Sequence, residues 1–199
     1  MSRGIALGVA GAVLVVLAGG GTCATYNHLV SLDQGVKSQW AQVESVYQRR
    51  ADLIPNLVAT VKAAADFEKS TLIAVTEARA RVGQVTLGKD VLSNPEAFQG
   101  FQKAQDGLSS SLSRLLVVSE QYPQLTATQN FRDLQAQLEG TENRIAVERM
   151  RFNETSAKFN SARNRFPVSM VAGLFGERFR EKPYFSAQPG AAEAPRVQF

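Results

Sequence analysis

The chain has 199 residues, of which 44% are hydrophobic and 20% charged, and its formal net charge is +4. This size and composition are ordinary for one folded domain with an additional segment. The charges of both signs are mixed along the chain, which argues against nucleic acid as a partner. The single cysteine excludes an internal disulfide and a cysteine-based zinc site.

The first predicted element is a membrane-spanning helix at residues 1–25. Residues 4–24 carry no charge, and about 20 apolar residues at about 1.5 Å each reach across a ~30 Å hydrocarbon layer. A signal peptide cleaved after Ala24 is the competing interpretation, but the next residues continue as a helix, which favours an uncleaved anchor. Cys23 is interpreted as a small residue at the helix end, with lipid attachment as the alternative. Because Arg3 precedes the span, the positive-inside rule favours an extracytoplasmic domain.

The next segments predict two helices. The first runs from Asn27 to Arg49, with apolar residues at spacings of three and four that form one stripe. The stripe consists of Leu29, Leu32, Val36, Trp40, Val43 and Tyr47. Asp52 is predicted to cap the second helix, with Pro55 in its first turn, and this helix is expected to end near Gly83.

Two further helices complete a predicted bundle. Asn94 is expected to cap the third helix, with Pro95 at its first position, and Tyr122-Pro123 is expected to stop it. A short turn at residues 124–126 would make helices three and four antiparallel neighbours. The fourth helix carries large apolar residues at a strict spacing of seven, which predicts gentle supercoiling. They are Phe131, Leu138, Ile145, Phe152, Phe159 and Phe166.

Polar residues at inward positions predict a buried polar network within the bundle. Glu68 is spaced by seven from apolar residues of the predicted second helix, and Glu148 is expected at an equivalent position on the fourth. An unpaired charge there would cost several kcal/mol, so these acids are expected to pair with Arg or Thr and to set helix register. A partner-binding or proton-linked site is the alternative. The predicted members are Arg50, Asp52, Glu68, Thr141, Glu148, Arg149 and Thr155.

The C-terminal part departs from the helical pattern. Residues 168–185 are rich in apolar and aromatic side chains and are predicted to fold back over the bundle. The alternative is that they bind the membrane or a partner, with Arg178, Arg180 and Lys182 facing lipid phosphates. Residues 186–199 combine Pro, Gly and Ala and are predicted to form a flexible tail.

Together these elements predict an all-α chain with four regions. They are an N-terminal transmembrane helix at residues 1–25, an antiparallel four-helix bundle with long helices at 26–167, a C-terminal segment at 168–185 that folds back on the bundle, and a flexible tail at 186–199.

The sequence lacks the residue patterns of common enzymes. His28 is the single histidine, and no nucleophile elbow, phosphate-binding loop or Glu-x-x-His pair is present. We therefore predict no enzymatic activity, no cofactor and no metal. An enzyme that uses Glu68 and Glu148 as an acid–base pair is the alternative, and it requires both carboxylates in one cleft.

Several segments resemble the LemA family. They are residues 26–30, 39–43, 48–58, 138–149, 152–154, 159–160, 166–167 and 182–185. The run from Arg49 to Leu57 is the most specific, and the resemblance extends over nearly the whole chain to Phe185. Phe152 and Phe159 stand where the family often has tyrosine before asparagine. The resemblance implies a bacterial protein with an N-terminal membrane helix and a four-helix bundle, some relatives of which are associated with building intracellular membranes.

These features predict a membrane-anchored helical scaffold or adaptor of the bacterial envelope, acting through protein or membrane contacts without catalysis. The alternative is a sensory or signalling input module that binds a ligand or partner between its helices, which an apolar pocket beside Glu148 would favour.

Expected partners are the lipid bilayer, other membrane or envelope proteins, and a second copy, for which the small residues Gly4 and Gly8 give a weak signal. The expected location is the bacterial inner membrane, with a single span and the bundle on the periplasmic or extracytoplasmic side.

Overall fold

The described part of the chain is entirely helical. The computed structural model describes residues 3–63, 68–86 and 91–186, with only the backbone described at residues 3–7, 9–19 and 86. The elements are α1 (Arg3–Lys62), α2 (Lys69–Thr86), α3 (Pro95–Ser119), α4 (Pro123–Thr126), α5 (Gln129–Asn164), α6 (Val168–Leu174) and a 3₁₀ turn (Gly176–Phe179). The prediction of an all-α fold is confirmed, since no strand occurs among these residues.

Helix α1 continues well beyond its predicted end. The boundary predicted between a helix ending at Arg49 and a second helix capped by Asp52 is wrong, because one helix runs through Asp52 and Pro55 to Lys62. Asp52 instead accepts a hydrogen bond from the side-chain amide of Gln48, at 2.7 Å, one turn earlier on the same helix.

Pro55 is tolerated inside α1 because a neighbouring helix supplies a hydrogen bond. A proline within a helix has no N–H, so the carbonyl four residues earlier loses its usual donor. In α1 that carbonyl belongs to Ala51, and the Nε of Arg79 on α2 donates to it at 3.1 Å. The tertiary contact therefore replaces the missing helical bond.

The predicted second helix is interrupted. Helix α1 ends at Lys62 and α2 begins at Lys69, so Glu68 precedes a helix rather than lying within one. Glu68 is exposed and accepts a hydrogen bond from the hydroxyl of Ser70. Its predicted inward position is wrong, because that position assumed an unbroken helix. Helix α2 also continues three residues beyond Gly83.

The predicted start of α3 is confirmed. The Oδ1 of Asn94 accepts hydrogen bonds from the backbone N–H groups two and three residues on, at 2.9 and 3.2 Å, and Pro95 occupies the first helical position. The turn predicted at residues 124–126 is wrong in detail, since Pro123 begins the short helix α4 there.

Helix α5 carries the predicted spacing of seven. Five of the six predicted seam residues are buried: Phe131, Leu138, Ile145, Phe152 and Phe159. Phe166 follows the end of the helix at Asn164 and is 81% exposed, so its assignment to the seam is wrong.

The chain divides into two units, each built from segments that are distant in sequence. Unit 1 comprises Met1–Gln39 and Glu154–Lys182, and unit 2 comprises Trp40–Asn153 and Pro183–Phe199.

Unit 2 is an antiparallel helical bundle. Trp40 contacts the beginning of α3 at Phe98 and a late part of α5 at Phe152, whereas Arg50, farther along α1, bonds Gln105 on α3 and Glu142 on α5. Helices α1 and α3 therefore run parallel, and α5 runs antiparallel to both. Helix α2 follows α1 after a short break and packs against α3. The core includes Ile54, Leu57, Val61, Val75, Leu108, Leu112, Leu115, Leu125, Phe131 and Leu138.

Unit 1 joins the first part of α1 to the end of α5, to α6 and to the 3₁₀ turn. The ring of Tyr26 on α1 lies 4.7 Å from that of Phe175 and 5.5 Å from that of Phe179, measured between centroids. Phe179 and Leu29 are fully buried. An aromatic cluster therefore connects α1 to the residues that follow α6.

The predicted transmembrane helix at residues 1–25 falls largely outside the described side chains. Its backbone is helical from Arg3 onwards. Within the part of the chain that the structure describes, no helix combines the length and the apolar character that crossing a bilayer requires. Of the tail predicted at residues 186–199, residues 187–199 lie outside the described part.

Candidate functional site

Arg50 of unit 2 is a charged residue at a core position. It belongs to a series on α1 spaced by seven, whose members are all buried: Leu29, Val36, Val43, Arg50 and Leu57. Residues at this spacing point to the same side of a helix that packs in a bundle. Arg50 is only 1% exposed, so its guanidinium requires partners inside the protein.

Those partners come from α3 and α5. The Nη1 of Arg50 donates to Ser109 Oγ at 2.5 Å and to Glu142 Oε1 at 2.7 Å. Its Nη2 donates to the backbone carbonyl of Gln105 at 3.2 Å and also to the side-chain oxygen of Gln105. Glu142 is partly exposed, so the ion pair reaches from the core to the surface. One side chain thereby links three helices of unit 2.

Tyr47 lies one turn before Arg50 and borders the same cluster. The guanidinium carbon of Arg50 lies 5.1 Å from the centroid of the Tyr47 ring, which is cation–π distance. Burial raises the pKa of Tyr47 to about 12, and this effect outweighs the opposing influence of Arg149 and Arg50. The hydroxyl is therefore protonated at neutral pH.

Arg149 of α5 forms a second ion pair in unit 2. Its Nη1 lies 3.3 Å from Asp106 Oδ1, and its guanidinium carbon lies 4.6 Å from the centroid of the Phe185 ring. Arg149 therefore contacts both α3 and the C-terminal segment.

Six of the seven residues predicted to form a polar network belong to unit 2, but they do not form one network. Arg50 and Arg149 bind different acids, Glu142 and Asp106. Thr141 is buried, and its hydroxyl donates to the carbonyl one turn earlier on its own helix at 2.7 Å.

The remaining four predicted residues are Asp52, Glu68, Glu148 and Thr155. Asp52 and Glu68 are exposed. Glu148 forms an ion pair with Arg151, three residues on, at 2.8 Å, whereas the acid that meets Arg50 is Glu142. Thr155 belongs to unit 1 and is partly buried. Glu148 lines a surface groove whose lining does not include Glu68.

Sequence reasoning missed Gln105, Ser109 and Glu142. A signal existed for Gln105, which belongs to a buried series on α3 spaced by seven: Phe98, Gln105, Leu112 and Ser119. Glu142 has no such signal, because it lies beside the inward Thr141 and reaches Arg50 only through the length of its side chain.

A groove of about 510 Å³ lies on the surface of unit 2, between α1 and α5. Three arginines line it, namely Arg49, Arg144 and Arg151, together with Glu148 and apolar atoms of two valines. It is open to solvent and is lined by both polar and apolar atoms, so it is not the purely apolar pocket that would favour a ligand between the helices. Its excess of positive charge suits an anionic group.

Two asparagines of α5 hold the backbone of the C-terminal segment. In unit 2, Asn153 donates to the carbonyl of Phe185 at 2.9 Å and accepts from its N–H at 2.8 Å. In unit 1, Asn160 makes the same pair of bonds with Lys182, at 2.9 and 2.8 Å. An amide side chain can satisfy both backbone groups of an extended residue, which explains why a segment without regular structure stays in place.

The side chain of Phe185 fills an aromatic pocket in unit 2. Its ring centroid lies 6.1 Å from that of Trp40, 4.8 Å from that of Phe98 and 5.5 Å from that of Phe152. Such tilted and stacked pairs stabilise beyond their buried area. The C-terminal segment therefore contributes a ring to the core.

Unit 1 contains a buried ion pair between Asp33 of α1 and Lys182. The Nζ of Lys182 lies 2.6 Å from Asp33 Oδ1, and Lys37 approaches the other oxygen at 2.9 Å. Burial raises the pKa of Asp33, but hydrogen bonds and charges from Lys182 and Lys37 outweigh it, so the pKa lies below its usual value. Asp33 is therefore ionised at neutral pH.

These arrangements are suited to holding segments together. Each buried charge meets a charged or amide partner across an element boundary, which fixes register between segments. Within the described ranges no group of three or more His, Cys, Asp or Glu side chains could hold a metal ion.

Comparison with known proteins gives a family and three relatives. A family model described as the LemA family matches residues 39–199. The chain is 27% identical over 189 residues to the magnetosome protein MamQ of Magnetospirillum gryphiswaldense, a match that covers 86% of this chain and 68% of that protein. The magnetosome proteins MamQ 1 and MamQ 2 of Paramagnetospirillum magneticum are each 25% identical over 188 residues, with the same shares.

Proposed function

Because the chain belongs to the LemA family, we propose that it is a membrane-anchored helical scaffold or adaptor of the bacterial envelope, which acts through protein or membrane contacts without catalysis. The N-terminal helix would lie in the inner membrane as a single span, with the bundle on the extracytoplasmic side.

The anchor is supported by the apolar sequence of residues 4–24 and by the helix that contains them. Helix α1 is unbroken from Arg3 to Lys62, so this apolar stretch continues directly into the first helix of the bundle. A helix that enters lipid keeps its backbone hydrogen bonds internal. The unbroken helix favours a permanent anchor over a cleaved signal peptide.

The scaffold role is supported by the long helices and by the way that unit 2 uses its charges. Helix α5 has 36 residues and is about 54 Å long at about 1.5 Å per residue. The charges of the Arg50 cluster are engaged in holding α1, α3 and α5 together. The relatives are named for a cellular structure, the magnetosome, which supports a structural role.

Fractionation of the full chain would test the anchor. We expect the protein to remain with membranes after alkaline extraction. A tag at Phe199 should become accessible to protease when the layers outside the inner membrane are permeabilised and the inner membrane is intact. Leu14→Arg with Val15→Arg should release it, because charges at the centre of a span are costly. Val117→Arg, on an exposed position of α3, is the matched control and should stay with the membrane. Wild-type protein in the soluble fraction would contradict the proposal.

Crosslinking in cells would test the scaffold role. Capture from solubilised membranes should return a specific partner or a second copy, and the capture should be lost from the released Leu14→Arg, Val15→Arg variant. A wild-type chain that returns the same proteins as an unrelated membrane anchor would argue against a scaffold.

A sensory or signalling input module is the alternative, and the basic groove of unit 2 is the observation that favours it. An anionic ligand bound between Arg49 and Arg144 should raise the melting temperature of the wild type and not that of the double variant Arg49→Gln, Arg144→Gln. An equal rise in both proteins would exclude this groove as the sensor.

A further inference from the structure

Helix α6 of unit 1 carries large apolar side chains on its outer face as well as on its inner face. Val171 and Ala172 are buried. On the other side, Met170 and Leu174 lie one turn apart and are 63% and 79% exposed. Ser169 is the one exposed polar side chain of this seven-residue helix, and exposed large apolar side chains that occur together on a protein surface commonly mark a contact with a membrane or a partner.

The exposed apolar surface extends beyond α6 at both ends. Phe166 precedes the helix and Phe175 follows it, and both rings are exposed. The eleven residues from Phe166 to Gly176 contain no charge. These four exposed apolar residues lie within ten residues of sequence, and we refer to Phe166, Met170, Leu174 and Phe175 as the α6 patch.

The α6 patch lies beside the end of the apolar N-terminal stretch. Phe175 packs against Tyr26, at 4.7 Å between centroids, and Tyr26 is the second residue after the uncharged residues 4–24. Tyrosine is favoured where a helix leaves the hydrocarbon layer, because its ring is apolar and its hydroxyl is polar. This contact places the patch at the level where a span at residues 4–24 would leave the bilayer.

Positive charge borders the α6 patch. Arg165 precedes it, and the guanidinium carbon of Arg178 lies 5.3 Å from the centroid of the Tyr26 ring. Arg163 and Arg180 also flank it in the sequence, and so do the acidic residues Glu177 and Glu181. Apolar side chains bordered by arginine are the combination found in segments that lie in the interface of an anionic bilayer.

We propose that the α6 patch inserts into the interfacial region of the same bilayer that holds residues 4–24, with its arginines at anionic headgroups. This inference rests on the proposed membrane anchor. The protein then holds its membrane at two places, a spanning helix and a short helix lying in the plane of the surface, and the second contact limits how unit 1 can tilt.

Fluorescent labelling of the full chain in vesicles tests the inference. A Cys23→Ser chain with Leu174→Cys carries an environment-sensitive dye in the α6 patch, and the same chain with Met150→Cys carries it on α5 as the matched control, since Met150 is also exposed. The vesicles contain phosphatidylcholine with phosphatidylglycerol, and flotation first confirms that each labelled chain is membrane-bound. Both positions are exposed, so both chains should fold, which the circular dichroism signal checks.

The expected result is a several-fold stronger quenching of the dye at position 174 than at position 150 by lipids that carry a spin label near the headgroup. Aqueous iodide should show the opposite order. The Arg165→Gln, Arg178→Gln variant should show weaker lipid quenching at position 174. Equal quenching by lipid at the two positions would overturn the inference.

The outcomes separate this inference from the proposed anchor. If the chain floats with vesicles while the dye at position 174 is quenched by iodide, the inference fails and the anchor stands. If the dye escapes both quenchers, a protein surface covers the patch and the inference fails. If the chain does not float at all, the anchor and the inference both fail.

Discussion

Units 1 and 2 each bury a cation, but they surround it differently. In unit 2, Arg50 meets neutral acceptors on α3 and the carboxylate of Glu142, which is partly exposed. In unit 1, Lys182 meets Asp33, which is as buried as the lysine itself. The planar guanidinium of Arg50 bonds several acceptors at once, whereas the ammonium group of Lys182 pairs with one carboxylate on α1 and lies 4.9 Å from the centroid of the Phe159 ring on α5.

The outer surfaces of the two units differ as well. In unit 2, arginines line a surface groove, and exposed large apolar side chains such as Ile73 and Val117 are far apart in sequence. In unit 1, the exposed large apolar side chains are close together in sequence around α6. Single exposed apolar side chains are ordinary on a protein surface, whereas grouped ones commonly mark a contact site. Five substitutions, all in the full chain in detergent, would test this contrast.

The largest effect is expected from Arg50→Ala in unit 2. Breaking a buried charge pair leaves its partners without a donor and costs about 3–5 kcal/mol of unfolding free energy. Denaturant unfolding would measure it. Arg49→Ala, on an exposed position beside it, is the control and should change stability by less than about 0.5 kcal/mol. Equal effects would show that the cluster does not hold the bundle together.

Phe185→Ala should come next, at about 3 kcal/mol, because it empties an aromatic pocket in the core of unit 2. Trp40 is the single tryptophan of the chain, so its emission should move to longer wavelength as water enters. Tyr184→Ala, at the exposed neighbouring position, should leave the emission unchanged. An unaltered spectrum in Phe185→Ala would mean that the segment is not held as the structure has it.

The ion pair of unit 1 should make the stability of the protein depend on pH. The folded-state pKa of Asp33 lies below its value of 3.8 in the unfolded chain, so the stability it contributes is present above about pH 4 and is lost as the pH falls through the folded-state pKa. Melting temperatures measured downwards from neutral pH should therefore fall less steeply for Asp33→Asn than for the wild type. Asp52→Asn, an exposed acid on the same helix, should follow the wild-type curve, and identical curves for all three would refute the assignment.

A smaller loss of unfolding free energy is expected at the contact where Arg79 of α2 bonds the backbone of α1 near Pro55. Arg79→Ala removes the donor to the Ala51 carbonyl and should cost about 1 kcal/mol. When Pro55→Ala is also present, the backbone N–H at position 55 can serve that carbonyl, so the cost should largely disappear in a double-mutant cycle. Additive effects would show that the Arg79 hydrogen bond does not compensate for the missing N–H of Pro55. Arg81→Ala is the control, because it removes the same charge from the same helix.

The smallest effect on folding is expected from Leu174→Ser. The side chain is exposed, so unfolding free energy in detergent should change by less than about 0.5 kcal/mol. A large loss would mean that the outer face of α6 is covered within the protein, which would remove the contrast between the two surfaces.

Much of the fold could be predicted from the sequence because its signals are local. The buried face of α5 follows from a spacing of seven, and the start of α3 follows from Asn94-Pro95, since both depend on residues within one or two turns. The same local rules misled at Pro55 and Asp52, where they predicted a helix start inside a continuous helix.

The candidate site was predicted less well. Arg50 and Arg149 were identified by residue type and position, but their acids were not, because Glu142 and Asp106 lie far away in sequence. Glu68 was assigned inwards on the assumption of an unbroken helix, which the end of α1 at Lys62 removes.

The helical class, the inward faces of α1, α3 and α5, and the apolar character of residues 4–24 follow from the sequence alone, since periodicity and composition are properties of neighbouring residues. Tertiary packing is needed to explain that Arg79 completes the helix at Pro55, that Glu142 neutralises Arg50, and that no other described residue covers the outer side of α6. Each of these depends on which distant segments meet, and that is set by packing rather than by local preference.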